Sequence, residues 1–396
     1  MQYNAKIKED VLDNLFRVII CLREGDAAEL SLLSNRTIHN SSVFQDRLSI
    51  DLAVLTYALS KIVDEKPTLR DQFATSLEHA RKLLEHDQVQ GYMLTIQEVM
   101  THIRQVDENM QHYVGHVLNQ ARMKKGSKLY AHGISLAQSA AAMGTSQWEL
   151  YNYVGKTKIN DDGSHSVVNM RKRLDYAREL FAGMHGRVLV FDTGPIITLT
   201  MNGLLSMLPK LKQLFAGDFL ITKAVQQELI ERPLQTKSHK LEAFHVQPFI
   251  ETNVLSVTDS AKVQLKKQEL AALANNTFFA YGNPIQIVHE GELECLALLL
   301  TMGGTTLVVD ERTTRYLIET PSKVADRMEF KLHTKVTIDK NNYEKLKSML
   351  AGLRTIRSVE LLLVAFEQGL FSDELNKTQQ IPQNKKQYFE GLVWGL

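Results

Sequence analysis

Five carboxylates in the second half of this 396-residue chain stand at positions from which acids can meet. Asp192 closes RVLVFD and Asp310 closes TLVVD, each ending a β-branched apolar run that reads as a strand buried on both faces. Glu228 lies in FLITKAVQQELIERP, on a helix following a strand at Asp218 to Thr222. Glu292 and Glu294 lie in HEGELECLALLL, in the first turn of a helix opening at Gly291, where the helix dipole favours negative charge. Carboxylates gathered at one place repel, and each moves toward its neutral form unless a cation compensates. Hard oxygen donors with no His or Cys among them suit Mg²⁺ or Mn²⁺. The chemistry such a cluster serves is phosphodiester hydrolysis, in which metals activate a water and stabilise the leaving oxygen.

The elements that must position these acids alternate. The strand ending at Asp192 precedes an apolar helix from Ile196 to Leu208, with Gly194-Pro195 between them. Beyond Glu228 come a helix from Ser260 to Leu273, a strand from Ile285 to Val288, the Glu292/Glu294 helix, a strand from Thr305 to Val309 and a helix bearing Arg312 and Arg315. That order predicts an α/β fold with a doubly wound parallel sheet flanked by helices. Ligands bind such sheets at the carboxyl ends of the strands, where Asp192 and Asp310 stand. The plainer alternative makes each acid a helix cap or a surface charge on a non-catalytic sheet.

The first half reads differently, as an all-α domain. From Met1 to about Lys125 the apolar residues recur at helical spacing, as in Val11, Leu15, Ile19 and Leu52, Leu55, Leu59, Ile62. Helices are expected at Leu69 to Leu84 and Val89 to Met123, with Arg36, His39, Asn40 and Asp46 in a polar connector. Arg81 and His86 keep an R-x4-H spacing found in a class of helical-bundle ribonucleases, but Lys82 stands where an asparagine usually follows the arginine. In GISLAQSAAAMGTSQWELYNYVGK, Ser135 and Ser146 can each cap a short helix and Gly144 can turn between them, as a helix-turn-helix requires. An ordinary helical hairpin fits the same residues, and the second helix is poor in Arg and Lys for reading DNA. Lys156 and Lys158 beside it, and Arg171 and Arg173 on a basic helix from Met170 to Phe181 whose arginines are expected on the exposed face, are the candidates for nucleic-acid contact.

Composition bounds the rest. With 46 basic and 45 acidic residues, no global field draws in polyanions, so any nucleic-acid surface must be local. Cys21 and Cys295, each in an apolar helical context, read as core residues, and a reducing cytoplasmic setting is expected. Asp13, Asn14 and Arg17 interrupt the first apolar run and Leu293 to Met302 is short, so no signal peptide or membrane span is expected.

Four segments in series, FDTGPIITLTMNGLLSMLPKLKQLF, FLITKAVQQELIERP, EGELECLALLL and LVVDERTTR, resemble PIN-domain nucleases in order and spacing, most closely the prokaryotic branch with a GE-x-E helix. SVELLLVAFEQGLF resembles that branch's closing helix. The resemblance implies an endoribonuclease acting on single-stranded RNA with Mg²⁺ or Mn²⁺. It makes Asp192, Glu228, Glu294 and Asp310 the metal-binding acids, Glu292 an auxiliary or alternative ligand, Thr193 a supporting hydroxyl, and Arg315 a helper near the phosphate or a partner of an acid. It also implies, by analogy, a homodimer paired through helices. The layout expected is a helical bundle at 1–127, a helix-turn-helix-like segment at 128–158, a linker and connecting helix at 159–184, a PIN-like domain at 185–373 and a tail at 374–396. The N-terminal region would select the RNA target, DNA or a protein partner. A free-standing toxin needs neither that region nor the lysine-bearing insertion between Tyr316 and Ser358. The competing expectation is an inactive PIN-like scaffold or a helix-turn-helix DNA-binding regulator.

Overall fold

A computed structural model describes residues 5–44, 46–63, 67–105, 111–132, 134–156, 167–183, 188–235 and 239–371. They divide into two compact units, one comprising Met1–Thr157, Ala280–Ile285 and Met328–Lys335, the other Lys158–Phe279, Gln286–Arg327 and Val336–Leu396. The turn-rich stretch Asn160 to Ser164, Lys158 and the tail after Asp373 lie outside the described residues.

The first unit is helical: α1 (Ala5–Glu24), α2 (Ala27–Phe44), α3 (Arg47–Ile62), α4 (Arg70–Glu85), α5 (Val89–Gln105), α6 (Gln111–Ala131), α7 (Leu136–Met143) and α8 (Gln147–Lys156). Leu15, Leu22, Leu52, Leu55, Leu59, Phe73, Leu77 and Tyr92 meet in its core. Arg36, His39 and Asn40, expected in a connector, are instead in helix. Leu30, Leu33, Thr37 and Ile38 recur at helical spacing and are buried, so α2 runs through Arg36, His39 and Asn40, and Asp46 caps α3 by accepting the Ser49 N–H at 2.8 Å. The helical stretch expected from Val89 to Met123 comprises α5 and most of α6. Arg81 pairs with Glu85 at 3.4 Å and lies over the Phe16 ring. The two short helices at Ser135 and Ser146 form as read: Ser135 and Gln138 make a reciprocal capping box, and Gly144 turns in the left-handed region at φ 65°.

The second unit contains α9 (Val167–Phe181), β1 (Val188–Phe191), α10 (Thr193–Met201), α11 (Met207–Phe215), β2 (Asp218–Thr222), α12 (Lys223–Gln226), a π turn at Gln227–Glu231, α13 (Arg232–Gln235), α14 (Lys240–Glu251), β3 (Ser256–Thr258) and α15 (Ala261–Ala274). After it come β4 (Phe278–Ala280), β5 (Asn283–Pro284), α16 (Glu290–Met302), β6 (Thr306–Val308), α17 (Arg312–Glu319), α18 (Val324–Leu332), β7 (Val336–Ile338), α19 (Lys340–Leu350), β8 (Arg354–Ile356) and α20 (Ser358–Glu367). Of these, β5 and most of α18 count with the first unit. Five strands form a parallel sheet in the order β3-β2-β1-β6-β8, which puts β1 at the centre with β2 and β6 on either side. Both sheet faces are covered, as parallel strands require: successive residues Leu189, Val190 and Phe191 are all buried, and on one face Phe191 packs on Phe219 with ring centres 5.0 Å apart and Phe219 on Phe215 at 5.6 Å.

Three expectations are corrected in this unit. Ile196 to Leu208 is not one helix, because Gly203 adopts φ +70° after Asn202 and separates α10 from α11. Ile285 to Val288 is buried but forms no strand. Arg173 is not on an exposed face: it is buried beneath α9, with Nε 3.2 Å from Glu360 and Nη1 3.2 Å from Glu319. Arg171 is exposed, as read; Lys156 ends α8.

Candidate active site

The carboxyl ends of β1 and β6 are adjacent in the sheet, since Phe191 pairs with Val308, and Asp192 and Asp310 therefore leave it side by side. Gly194 sits between them: a methyl there would lie 3.7 Å from both Asp192 Oδ2 and Asp310 Cβ. Asp192 is only 8 % exposed and occupies the N-cap of α10 without using its side chain as a cap. Its carboxyl instead interacts with the backbone N–H groups of Thr193 and Gly194 at the start of that helix, which hold it at the sheet edge.

Glu228 reaches the same place from the π turn, a local widening that often accompanies functional side chains. It is buried, and Thr193 Oγ1 donates a hydrogen bond to its Oε2 at 2.5 Å. Its Oε1 lies 3.8 Å from His289 Nδ1 and 3.9 Å from Arg232 Nη1, and backs onto Gly291. Glu292 arrives on the first turn of α16, where it accepts the His289 N–H at 2.7 Å. Burial first, then the negative charge of Glu228 and of Glu311, raises the Asp192 carboxyl to about 7. Burial, then Glu311 and Asp192, pushes Glu292 well above the usual carboxylate range. Four acids therefore act on one another here: Asp192, Glu228, Glu292 and Glu311.

Two of the expected ligands are engaged otherwise. Glu294, one helix step beyond Glu292, accepts the Ala224 N–H at 3.1 Å and pairs with Lys267 at 3.2 Å. Asp310 accepts the Ser358 N–H and hydroxyl at 2.9 Å and the Thr198 hydroxyl at 3.0 Å, so it ties α10 and the start of α20 to the end of β6. Arg315 is buried and donates to the Asp310 backbone carbonyl at 3.4 Å. Burial, with Arg357 and Arg173 nearby, lowers its guanidinium to about 10.

Sequence reasoning missed Glu311 and His289, although both adjoin residues it singled out. Glu311 follows the strand-ending Asp310, and His289 precedes the EGELE turn as its N-cap. Burial lowers the His289 imidazole, which stays neutral and adds no positive charge to the cluster. Cys295 is buried and its thiol is pushed well up, first by burial and then by Asp192 and Glu228, which leaves it inert. Both cysteines are buried and free.

Among the described residues, no three His, Cys, Asp or Glu side chains are grouped closely enough to hold a metal ion. The donor set nonetheless fits a hard divalent cation in kind: buried carboxylate oxygens whose mutual repulsion a cation would relieve. A closed cage would require Glu294 or Asp310 to give up the partners it has.

Residues 188–338 match the family model DUF3368, described as a PIN domain. No curated protein and no solved structure matches the chain. Four of the five strands of the parallel sheet, with Asp192, Glu228, Glu292, Glu294, Asp310 and Glu311, thus lie in the region that matches a PIN domain, a fold whose members are generally nucleases, and a helical region precedes it. Both β8 and α20 lie beyond the matched range, and α20 carries Glu360, which pairs with Arg173, and Ser358, which binds Asp310. Among the described residues no helix is long and apolar enough to cross a membrane.

Proposed function

We propose that this chain is a metal-dependent endoribonuclease that hydrolyses phosphodiesters of single-stranded RNA, with its helical region choosing the target or partner. The observation that carries the reading is the gathering of the buried acids Asp192, Glu228 and Glu292 at the carboxyl edge of the parallel sheet, where burial first and neighbouring acids second raise Asp192 and Glu292. A fold does not gather buried, repelling carboxylates for stability, since each weakens it. Asp192, Glu228 and Glu292 would hold Mg²⁺ or Mn²⁺, with Asp310 and Glu294 at the margin. When bound, such a cation supplies the charge that activates a water and stabilises the departing oxygen. Thr193 fixes the rotamer of Glu228, Ser358 and Thr198 fix Asp310, and Arg315 braces the backbone from which Asp310 projects.

The test is incubation of purified protein with labelled single- and double-stranded RNA and single-stranded DNA in Mn²⁺, Mg²⁺ or EDTA. Cleavage of single-stranded RNA in either metal is expected, together with its loss in Asp192→Asn. Undiminished cleavage by that folded variant removes the assignment.

A second reading draws on Glu294, whose charge is already met by Lys267, and on Asp310, whose oxygens are already hydrogen-bonded by Ser358. It makes the sheet an inactive scaffold and the α7–α8 pair a DNA-binding module. It predicts salt-sensitive binding to duplex DNA, and no such binding at low salt would count against it.

A further inference from the structure

The first unit carries a group of ammonium ions that the cleavage site does not use. Lys61 on α3 and Lys124 and Lys125 on α6 place Nζ 5.4, 4.8 and 5.0 Å from the centre of the Tyr57 ring. Lys124 Nζ also reaches the Tyr57 hydroxyl at 3.4 Å. Lys128 stands one turn beyond Lys124 on the same helix. Each cation gains a little from the ring face. Held around one ring, however, they repel one another across a distance comparable to the ~8 Å Debye length of physiological salt. Lys125 is fully buried, and the partner of its Nζ is the neutral amide oxygen of Asn35 at 2.8 Å, which cannot cancel a charge. Among the described residues no carboxylate offsets Lys125 or Lys128; burial and neighbouring lysines alone act on both, and both are lowered. The group opens to solvent through Lys61, which is exposed, and through Lys124 and Lys128, which are half-buried.

We propose that this lysine cluster around Tyr57 is a phosphate-binding site, taking a backbone phosphate of single-stranded nucleic acid or the phosphate of a free nucleotide. Phosphate supplies the missing negative charge and unesterified oxygens, two on a backbone diester and three on a terminal phosphate, each able to accept charge-assisted hydrogen bonds from Lys61, Lys124 and Lys128. Tyr57 is buried and covered by lysines, so no base stacks on it, and the site reads phosphate without reading sequence. Only the choice of RNA as a probe rests on the nuclease reading.

The test uses the full-length chain as Asp192→Asn, so that no RNA is consumed, and measures anisotropy of a labelled single-stranded RNA and of a labelled mononucleotide across a salt series. Lys61→Gln and the double variant Lys124→Gln/Lys128→Gln are each expected to weaken binding about tenfold, and each lost contact to reduce the salt slope by roughly 0.7. Loss with the RNA alone assigns the site to the backbone, and loss with the mononucleotide assigns it to a free nucleotide. Unchanged affinity and slope for both probes overturns the proposal. Lys61 is exposed, so Lys61→Gln gives that answer even if the double variant unfolds. Lysine-dependent binding by a wild-type protein that cleaves nothing would sink the nuclease reading and leave this site standing, and cleavage with no lysine dependence would do the reverse.

Discussion

Thr193 donates its hydroxyl hydrogen to Glu228 across 35 residues of chain, from the first turn of α10 to the π turn after α12, at 2.5 Å. Both groups are buried, so the bond holds the Glu228 carboxylate in one orientation. Thr193→Val keeps the shape and removes the donor. Cleavage by that variant is expected to fall about 10-fold or more, the usual consequence of losing a partner that orients a ligand, while Thr193→Ser retains most activity. Equal rates for Val and Ser variants would show that the hydroxyl orients nothing.

Asp192 gives a prediction whose sign is set by burial and by Glu228. Its folded value of about 7 lies above the ordinary 3.8, so between those values the folded form holds a proton that the unfolded chain has released. In EDTA, this group's contribution to stability is full below about pH 4 and is lost as pH rises toward 7. Asp192→Asn removes the cost, so at pH 7 the variant is expected to melt several degrees higher than wild type while losing cleavage. Thermal unfolding at pH 5 and pH 7 checks this, and a variant melting below wild type at pH 7 would contradict it.

Hydrophobic pattern made the centre of the sheet legible and left its edges dark. The runs ending at Asp192 and Asp310 are apolar because β1 and β6 are buried on both faces, and the carboxylates mark where each run stops. At the edges, β3 and β8 are the three-residue stretches SVT and RTI, too short and mixed to stand out by period. Arg173 was misread because its charge outweighed its position. It begins the buried stripe Arg173, Tyr176, Ala177, Leu180 at helical spacing, and that spacing was the available signal. The partners that make its burial tolerable are 146 and 187 residues away, which local pattern does not reach. The engagement of Glu294 by Lys267 is equally non-local, whereas the acids of the EGELE turn were readable from their place at a helix start.

The buried position of Arg173 turns an expected binding residue into a structural one. Glu360 is fully buried and Glu319 mostly so; removing Arg173 takes away the cation paired with both and leaves them the Arg357 N–H and the Thr355 hydroxyl. Arg173→Ala is expected to destabilise the second unit by about 3–5 kcal/mol, the usual cost of breaking a buried pair from one side. Denaturant unfolding reads the loss. The exposed neighbour in Arg171→Ala should leave the midpoint within about 0.5 kcal/mol. Similar midpoints for both variants would mean that Arg173 is not buried as described.

Lys125 makes the stability of the helical unit rise with pH. Burial, then Lys128 and Lys124, lower its ammonium from 10.5 to about 7. Below pH 7 the lysine is charged in both states, and the folded form bears the whole cost of holding a buried cation beside Tyr57 and Asn35. Between about 7 and 10.5 the unfolded chain keeps a proton that the folded form has given up, so stability climbs by up to about 1.4 kcal/mol per pH unit. The unfolding midpoint of the helical unit is therefore expected to be higher at pH 9 than at pH 7, and Lys125→Met should flatten that rise. Inorganic phosphate at the neighbouring lysines should oppose it, by favouring the charged cluster at neutral pH. A slope unchanged in Lys125→Met would place the titration on another group and remove Lys125 as its source.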